Sequence, residues 1–239
     1  MAEVPVEHGR ILRIGGWCAV AGSLLAGVGN LLHPVTPMDD PVGVARVIAD
    51  SGAWVPVHLA IVAGIVLMLG GLVALDHSIR GGLAGTLARF GLWAGVSGVT
   101  IGLILVILDA VAARQLAQEW AAAPPADQAV ALGLVHLNET LNFALASLFN
   151  FVFAGVTFIL FGLAVALSDA HPRWLGWVVL VAGVASIGAG LLQAFTGEPT
   201  EASRGLTIFG PTVITIWLMV VGFVLVRMGR EHAPAAASG

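Results

Sequence analysis

The sequence predicts an all-α polytopic membrane protein, a bundle of six transmembrane helices. Three observations predict it. Of 239 residues, 58% are hydrophobic and only 10% are charged, where a soluble domain carries about 25% charged residues. The mean hydropathy is +0.97, which implies more apolar surface than a soluble fold of this size can bury and which a bilayer solvates without penalty. The apolar residues also fall into six stretches long enough for a hydrocarbon core of about 30 Å, which takes roughly 20 helical residues.

The first span, 13–33, follows the acidic start MAEVPVEHGR. With no basic n-region and no A-x-A site after it, it is expected to stay uncleaved. Asp40-Pro41 then supplies an N-cap and a proline for the first helical position, and Val44, Val47 and Ile48 share one face of VGVARVIAD. A short helix follows, expected to lie on the outer surface of the membrane, with a lid over the bundle as the alternative. Spans two to six are expected at 55–76, 88–112, 140–168, 174–195 and 207–228. The third and fourth continue past the lipid toward Trp120 and Asp127, and Pro211 is tolerated because neighbouring helices satisfy the freed carbonyl. Residues 1–230 read as one transmembrane domain. Residues 231–239, with HAPAAASG, read as a disordered cytoplasmic tail.

Arg10, Arg13, Arg80, Arg89, Arg173, Arg227 and Arg230 fall on one side of these spans, and Arg46, Arg114 and Arg204 on the other. The positive-inside rule puts both termini in the cytoplasm of a cell whose inner membrane holds the protein. Trp17, Trp93, Trp174 and Trp177 fall near the inner ends, and Trp54 and Trp120 near the outer ones, as interfacial anchors do. Trp217 reads as core packing.

Composition removes several functions. A net charge of −4, with no lysine, offers no basic patch for nucleic acid and no amine for a Schiff base. The single cysteine, Cys18, allows no internal disulfide and no thiolate metal cluster. There is no phosphate loop and no dinucleotide fingerprint, and GVSG at Gly95–Gly98 is one residue short of a nucleophile elbow. Asn138-Glu139-Thr140 matches a glycosylation sequon but opens a span.

Twenty residues after an inner arginine, each odd span reaches a polar residue: Arg13 leads to His33, Arg89 to Asp109 and Arg173 to Gln193. This spacing suggests three tandem helical hairpins, with chance resemblance as the alternative. Helical periodicity sets which way the polar groups face, since small residues mark the buried side of a membrane helix. Gly91, Gly95, Gly98 and Gly102 form such a stripe, and seven residues on it reaches Asp109. The same logic aligns Gly15, Ala19, Gly22, Ala26, Asn30 and His33 in span one. It aligns His136, Glu139, Asn142, Ala146, Asn150, Ala154 and Thr157 in span four, and Gly183, Ser186, Gly190 and Gln193 in span five. Counted from the inner boundaries, His33, His58, Asp109, Gln193 and Thr212 share one depth near the outer edge, with Glu139 and Asn142 just above.

Inward ionisable groups at membrane depth are functional hypotheses, against a structural alternative in which they only fasten the bundle. Three chemistries fit. His33, His58 and the His136-x-x-Glu139 pair offer imidazole and carboxylate ligands for zinc, copper or iron. His33 and His58 are also placed to ligate a haem from opposite faces. Asp109 or Glu139 is a candidate catalytic acid or base for a lipid-like substrate, or a carrier of a transported proton. Asn30, Asn142, Gln193 and Thr212 would line a site for a small ligand. A non-enzymatic binding protein in the lipid bilayer is the first reading, and an enzyme or carrier the second.

The leading GRILRIGGWCAVAGSLLAGVGNLLH span, the DDPVGVARVIAD helix and the closing GPTVITIWLMVVGFVLV span together resemble an uncharacterised family of bacterial multi-pass membrane proteins classed under a domain of unknown function. The resemblance is one of layout over most of the chain. It implies six spans and names no catalytic residue.

Overall fold

A computed structural model describes residues 3–38 and 40–231. No strand occurs among them. The chain folds as α1 (Glu3–Leu31), α2 (Pro41–Asp50), α3 (Trp54–Ser78), α4 (Gly82–Ile107), a π-helical turn (Leu108–Ala112) and α5 (Ala113–Ala122). It continues through α6 (Gln128–Phe149), a π-helical segment (Asn150–Thr157), α7 (Phe158–Leu167), α8 (Arg173–Thr196) and α9 (Glu201–Glu231). Six helical runs are long and apolar enough to cross a membrane: Glu7–Leu31, Trp54–Ser78, Gly82–Ala122, Gln128–Leu167, Arg173–Thr196 and Glu201–Glu231. The expected six-helix bundle is what forms. α1 stops at Leu31, so His33 sits in the loop beyond it. Glu231 is still helical, and the rest of the expected tail lies outside the described residues.

The helices close into a ring in chain order, α1 on α3, α3 on α4, α4 on α7, α7 on α8 and α8 on α9, with α9 returning to α1. In lipid no hydrophobic force draws apolar helices together, so close backbone approach has to do it. At the α1–α3 crossing, a Cβ added to Gly22 would lie 2.6 Å from Met68 N and 2.7 Å from Gly64 O. Nothing larger than glycine fits there. The glycine stripe expected on α4 is buried at Gly91, Gly95, Gly98 and Gly102. Pro211 lies within an unbroken α9, and Trp217 is core, its Nε1 donating to Leu175 O at 2.8 Å. Trp17, Trp93, Trp174 and Trp177 are at least half exposed, as anchors must be.

The loop helix forms as its sequence dictates, with Pro41 in its first turn and the Asp40 Oδ1 accepting from Gly43 N at 2.9 Å. It does not lie apart from the bundle. Ala45 and Ile48 are fully buried, and Ile48 packs with Trp54, Ala113 and Ala117 over the end of the bundle opposite the termini. The face is set by Ala45 and Ile48, three residues apart, more than by the three branched residues alone.

Candidate metal centre

At that end of the bundle three elements deliver three side chains. The loop after α1 brings His33, the first turns of α3 bring His58, and the π-helical turn after α4 brings Asp109. His33 Nε2 is 3.2 Å from His58 Nε2, and His58 Nε2 is 3.0 Å from Asp109 Oδ2. One ligand atom from each of the three lies within 4.8 Å of the others.

The other ring nitrogens decide what these short distances mean. His58 Nδ1 is 2.6 Å from Trp54 O, and His33 Nδ1 is 2.9 Å from Pro34 O. A carbonyl only accepts, so the partners assign the proton to Nδ1 in both rings. With the Nδ1 protons so placed, the Nε2 atoms are the ones left to hold a cation, and His58 Nε2 lies within 3.2 Å of both His33 Nε2 and the Asp109 carboxylate oxygen. Such a trio repels itself unless a cation lies among them. A proton relieves one pair at a time, and a metal ion relieves all three. Backbone carbonyls that fix the tautomer from behind are also the usual second layer around metal-bound histidine. His33 lies outside the spans, and its pKa is held below the usual histidine value, first by burial and then by the adjacent His58.

The π-helical turn explains how Asp109 arrives. Ala113 N–H reaches back five residues to Leu108 O, which leaves over the Asp109 carbonyl that an α-helix would have paired with it. Trp54 Nε1 donates to that carbonyl at 2.8 Å. Trp54 thus holds both ends of the site, His58 through its own carbonyl and Asp109 through its indole. It is 2% exposed and is a site residue, not the interfacial anchor expected from its position. Its place four residues before His58 was the available signal.

Two members of the expected ligand set, His136 and Glu139, are not in this trio. His136 is exposed, because α6 buries Val135, Asn138 and Asn142 and turns His136 away; Asp109 takes its place. Glu139 is close enough to interact electrostatically with Asp109 and His58, and its Oε1 is buried without a hydrogen-bond partner. Asn142 is buried on the same stretch of helix.

A haem between His33 and His58 does not fit. Axial imidazoles on opposite faces of a haem place their nitrogens about 4 Å apart with the macrocycle between them, given metal–nitrogen bonds of about 2 Å. These rings meet at 3.2 Å, on the same side as Asp109.

The remaining polar residues do not converge here. Asn30 is exposed, and its Nδ2 donates to Ala26 O of its own helix at 2.8 Å. The inward stripe of α1 continues from Ala26 to Gly29, whose added Cβ would lie 2.7 Å from Ile61. Its 4-3-4-3 rhythm thus steps past Asn30. Thr212 is exposed on α9. Gln193 joins a separate buried cluster, in which Asn150 Nδ2 donates to Gln193 Oε1 at 2.9 Å and to Thr207 Oγ1 at 3.2 Å. The 20-residue spacing therefore brings His33 and Asp109 together and leaves Gln193 elsewhere.

Comparison with protein-family models, with curated proteins and with solved structures found no match.

Proposed function

We propose that this protein binds a divalent transition-metal ion at the mouth of a six-helix membrane bundle, through His33 Nε2, His58 Nε2 and an Asp109 carboxylate oxygen. The observation that carries this reading is that His58 Nε2 lies 3.2 Å from His33 Nε2 and 3.0 Å from Asp109 Oδ2, with one ligand atom of each residue within 4.8 Å of the others and both Nδ1 atoms beside carbonyls. Tetrahedral zinc with bonds of 2.0–2.2 Å sets its donors about 3.3 Å apart, and two imidazoles with one carboxylate also suit iron(II). We place the site on the outer face of the cell inner membrane, with both termini cytoplasmic, on the strength of the arginine asymmetry.

The test is metal content, by elemental mass spectrometry on detergent-purified protein loaded with zinc. One ion per chain is expected in wild type and in His136→Ala. Loss is expected in His33→Ala and in Asp109→Asn. His33→Ala changes a half-buried loop residue outside the helices, and a wild-type thermal midpoint and size-exclusion profile would show that the variant is folded. Stoichiometric zinc in both variants would overturn the assignment.

A further inference from the structure

α6, which packs against the π-helical turn that carries Asp109, holds buried polar atoms with no partner. Asn138 Nδ2, Glu139 Oε1 and both amide atoms of Asn142 make up four of the six such side-chain atoms found among the described residues. Asn138 is 6% exposed and Asn142 is 7% exposed. A buried polar group left unpaired costs about 1–3 kcal/mol, so four within one turn of one helix ask for something that pairs them. Residues 138, 139 and 142 lie one turn apart on that helix, and Glu139 is the member within electrostatic reach of Asp109 and His58.

The chemistry of the set is specific. A metal held by three protein ligands keeps a position for water or substrate. A carboxylate that faces the site without being one of the triad suits the role of base toward water on the metal. The Asn138 and Asn142 amide N–H groups, buried without partners on the same helix as Glu139, are of the kind that suits an oxyanion. Access is from two directions. The Asp109 side chain is 29% exposed, and Leu31, Leu32 and Val35, which flank His33, are 86%, 64% and 76% exposed. These apolar side chains would carry a hydrocarbon chain from the lipid to the triad.

We propose that the site hydrolyses an acyl ester or amide of a lipid in the leaflet next to it, with Glu139 as base and the Asn138 and Asn142 amides as donors to the carbonyl oxygen. This inference rests on the metal reading above. Water adds to the acyl carbon, forming a C–O bond, and its proton passes to Glu139. The bond from that carbon to the alcohol oxygen or amine nitrogen then breaks, and the leaving atom takes the proton back. The products are a fatty acid and the alcohol or amine.

Two fluorescent probes, an NBD-acyl phosphatidylcholine and an NBD-acyl ceramide, in mixed micelles with zinc-loaded protein would test this. Release of labelled fatty acid from at least one probe is expected. Glu139→Gln should lower kcat by a factor of about 10²–10⁴ while its zinc content stays at one per chain. Asn142→Ala should lower kcat more than it changes KM. Stoichiometric zinc in wild type, with neither probe cleaved above the Glu139→Gln background, would overturn the hydrolytic inference and leave the metal site standing. Absence of bound zinc in wild type would overturn both.

Discussion

Trp54→Phe is the substitution that separates the metal centre from ordinary packing. Trp54 is 2% exposed and its Nε1 donates to the carbonyl that the π-helical turn leaves over at Asp109. Phenylalanine keeps the aromatic body and removes the donor. An unpaired buried carbonyl costs about 1–3 kcal/mol, and the two ring carbons lost from contact add about 1.5 kcal/mol at roughly 0.8 kcal/mol each. The sum is about 2.5–4.5 kcal/mol. Trp217 supplies the control, since it is 3% exposed and its Nε1 donates to Leu175 O at the same 2.8 Å, far from the triad in sequence and role. Both variants should lower the thermal midpoint in detergent micelles by similar amounts. Only Trp54→Phe should also weaken zinc binding, by about 10–100-fold, as loss of a supporting contact behind metal ligands does. Zinc affinities should be read by competition with a chelating dye at a temperature where both variants are folded. Equal zinc affinity in wild type and Trp54→Phe, with the stability loss present, would refute the view that Trp54 orients the ligands.

Three further outcomes are expected. His171 lies in the loop between α7 and α8; its Nε2–H donates to the Ser78 hydroxyl at 2.7 Å, while its Nδ1 is buried without a partner. Burial lowers its pKa from 6.5 to about 4, so the unfolded chain binds this proton at higher pH than the folded one. Stability should therefore be unaffected above pH 6.5 and fall between pH 6.5 and 4, by up to about 3 kcal/mol in all; a thermal midpoint as flat in wild type as in His171→Asn across that window would contradict this. Gly22→Val should separate α1 from α3, because its side chain would start 2.6 Å from Met68 N, and the variant should aggregate on size-exclusion chromatography; a monodisperse profile at wild-type stability would contradict the packing described. Asn150→Leu leaves Gln193 Oε1 without its donor and should cost about 1–2 kcal/mol with zinc binding unchanged; a loss of zinc would show that the two polar clusters are one.

The fold was legible because bilayer thickness acts on every residue of a span at once. Six apolar stretches, an N-cap with proline at Asp40-Pro41 and the glycine stripe of α4 each report a constraint that local sequence carries. Direction was legible where small residues line a face, as from Gly102 to Asp109. It failed where one residue decides the phase, since Asn30 and Gly29 are neighbours and only packing against Ile61 selects the glycine. The His136–Glu139 pair looked like a ligand pair because three residues on a helix share a side. The α6 face actually buried is centred on Asn138 and Asn142, which turns His136 outward. Trp54 escaped notice because its role depends on a leftover carbonyl 55 residues away, and that carbonyl exists only because the helix takes a π-turn at Leu108–Ala112.

X-ray absorption at the zinc edge of the loaded protein tests the metal centre most directly. A first shell of nitrogen and oxygen at about 2.0–2.2 Å is expected, with outer-shell scattering from two imidazoles that drops to one in His33→Ala. A shell of oxygen alone without imidazole scattering, or a spectrum unchanged by His33→Ala, would contradict it.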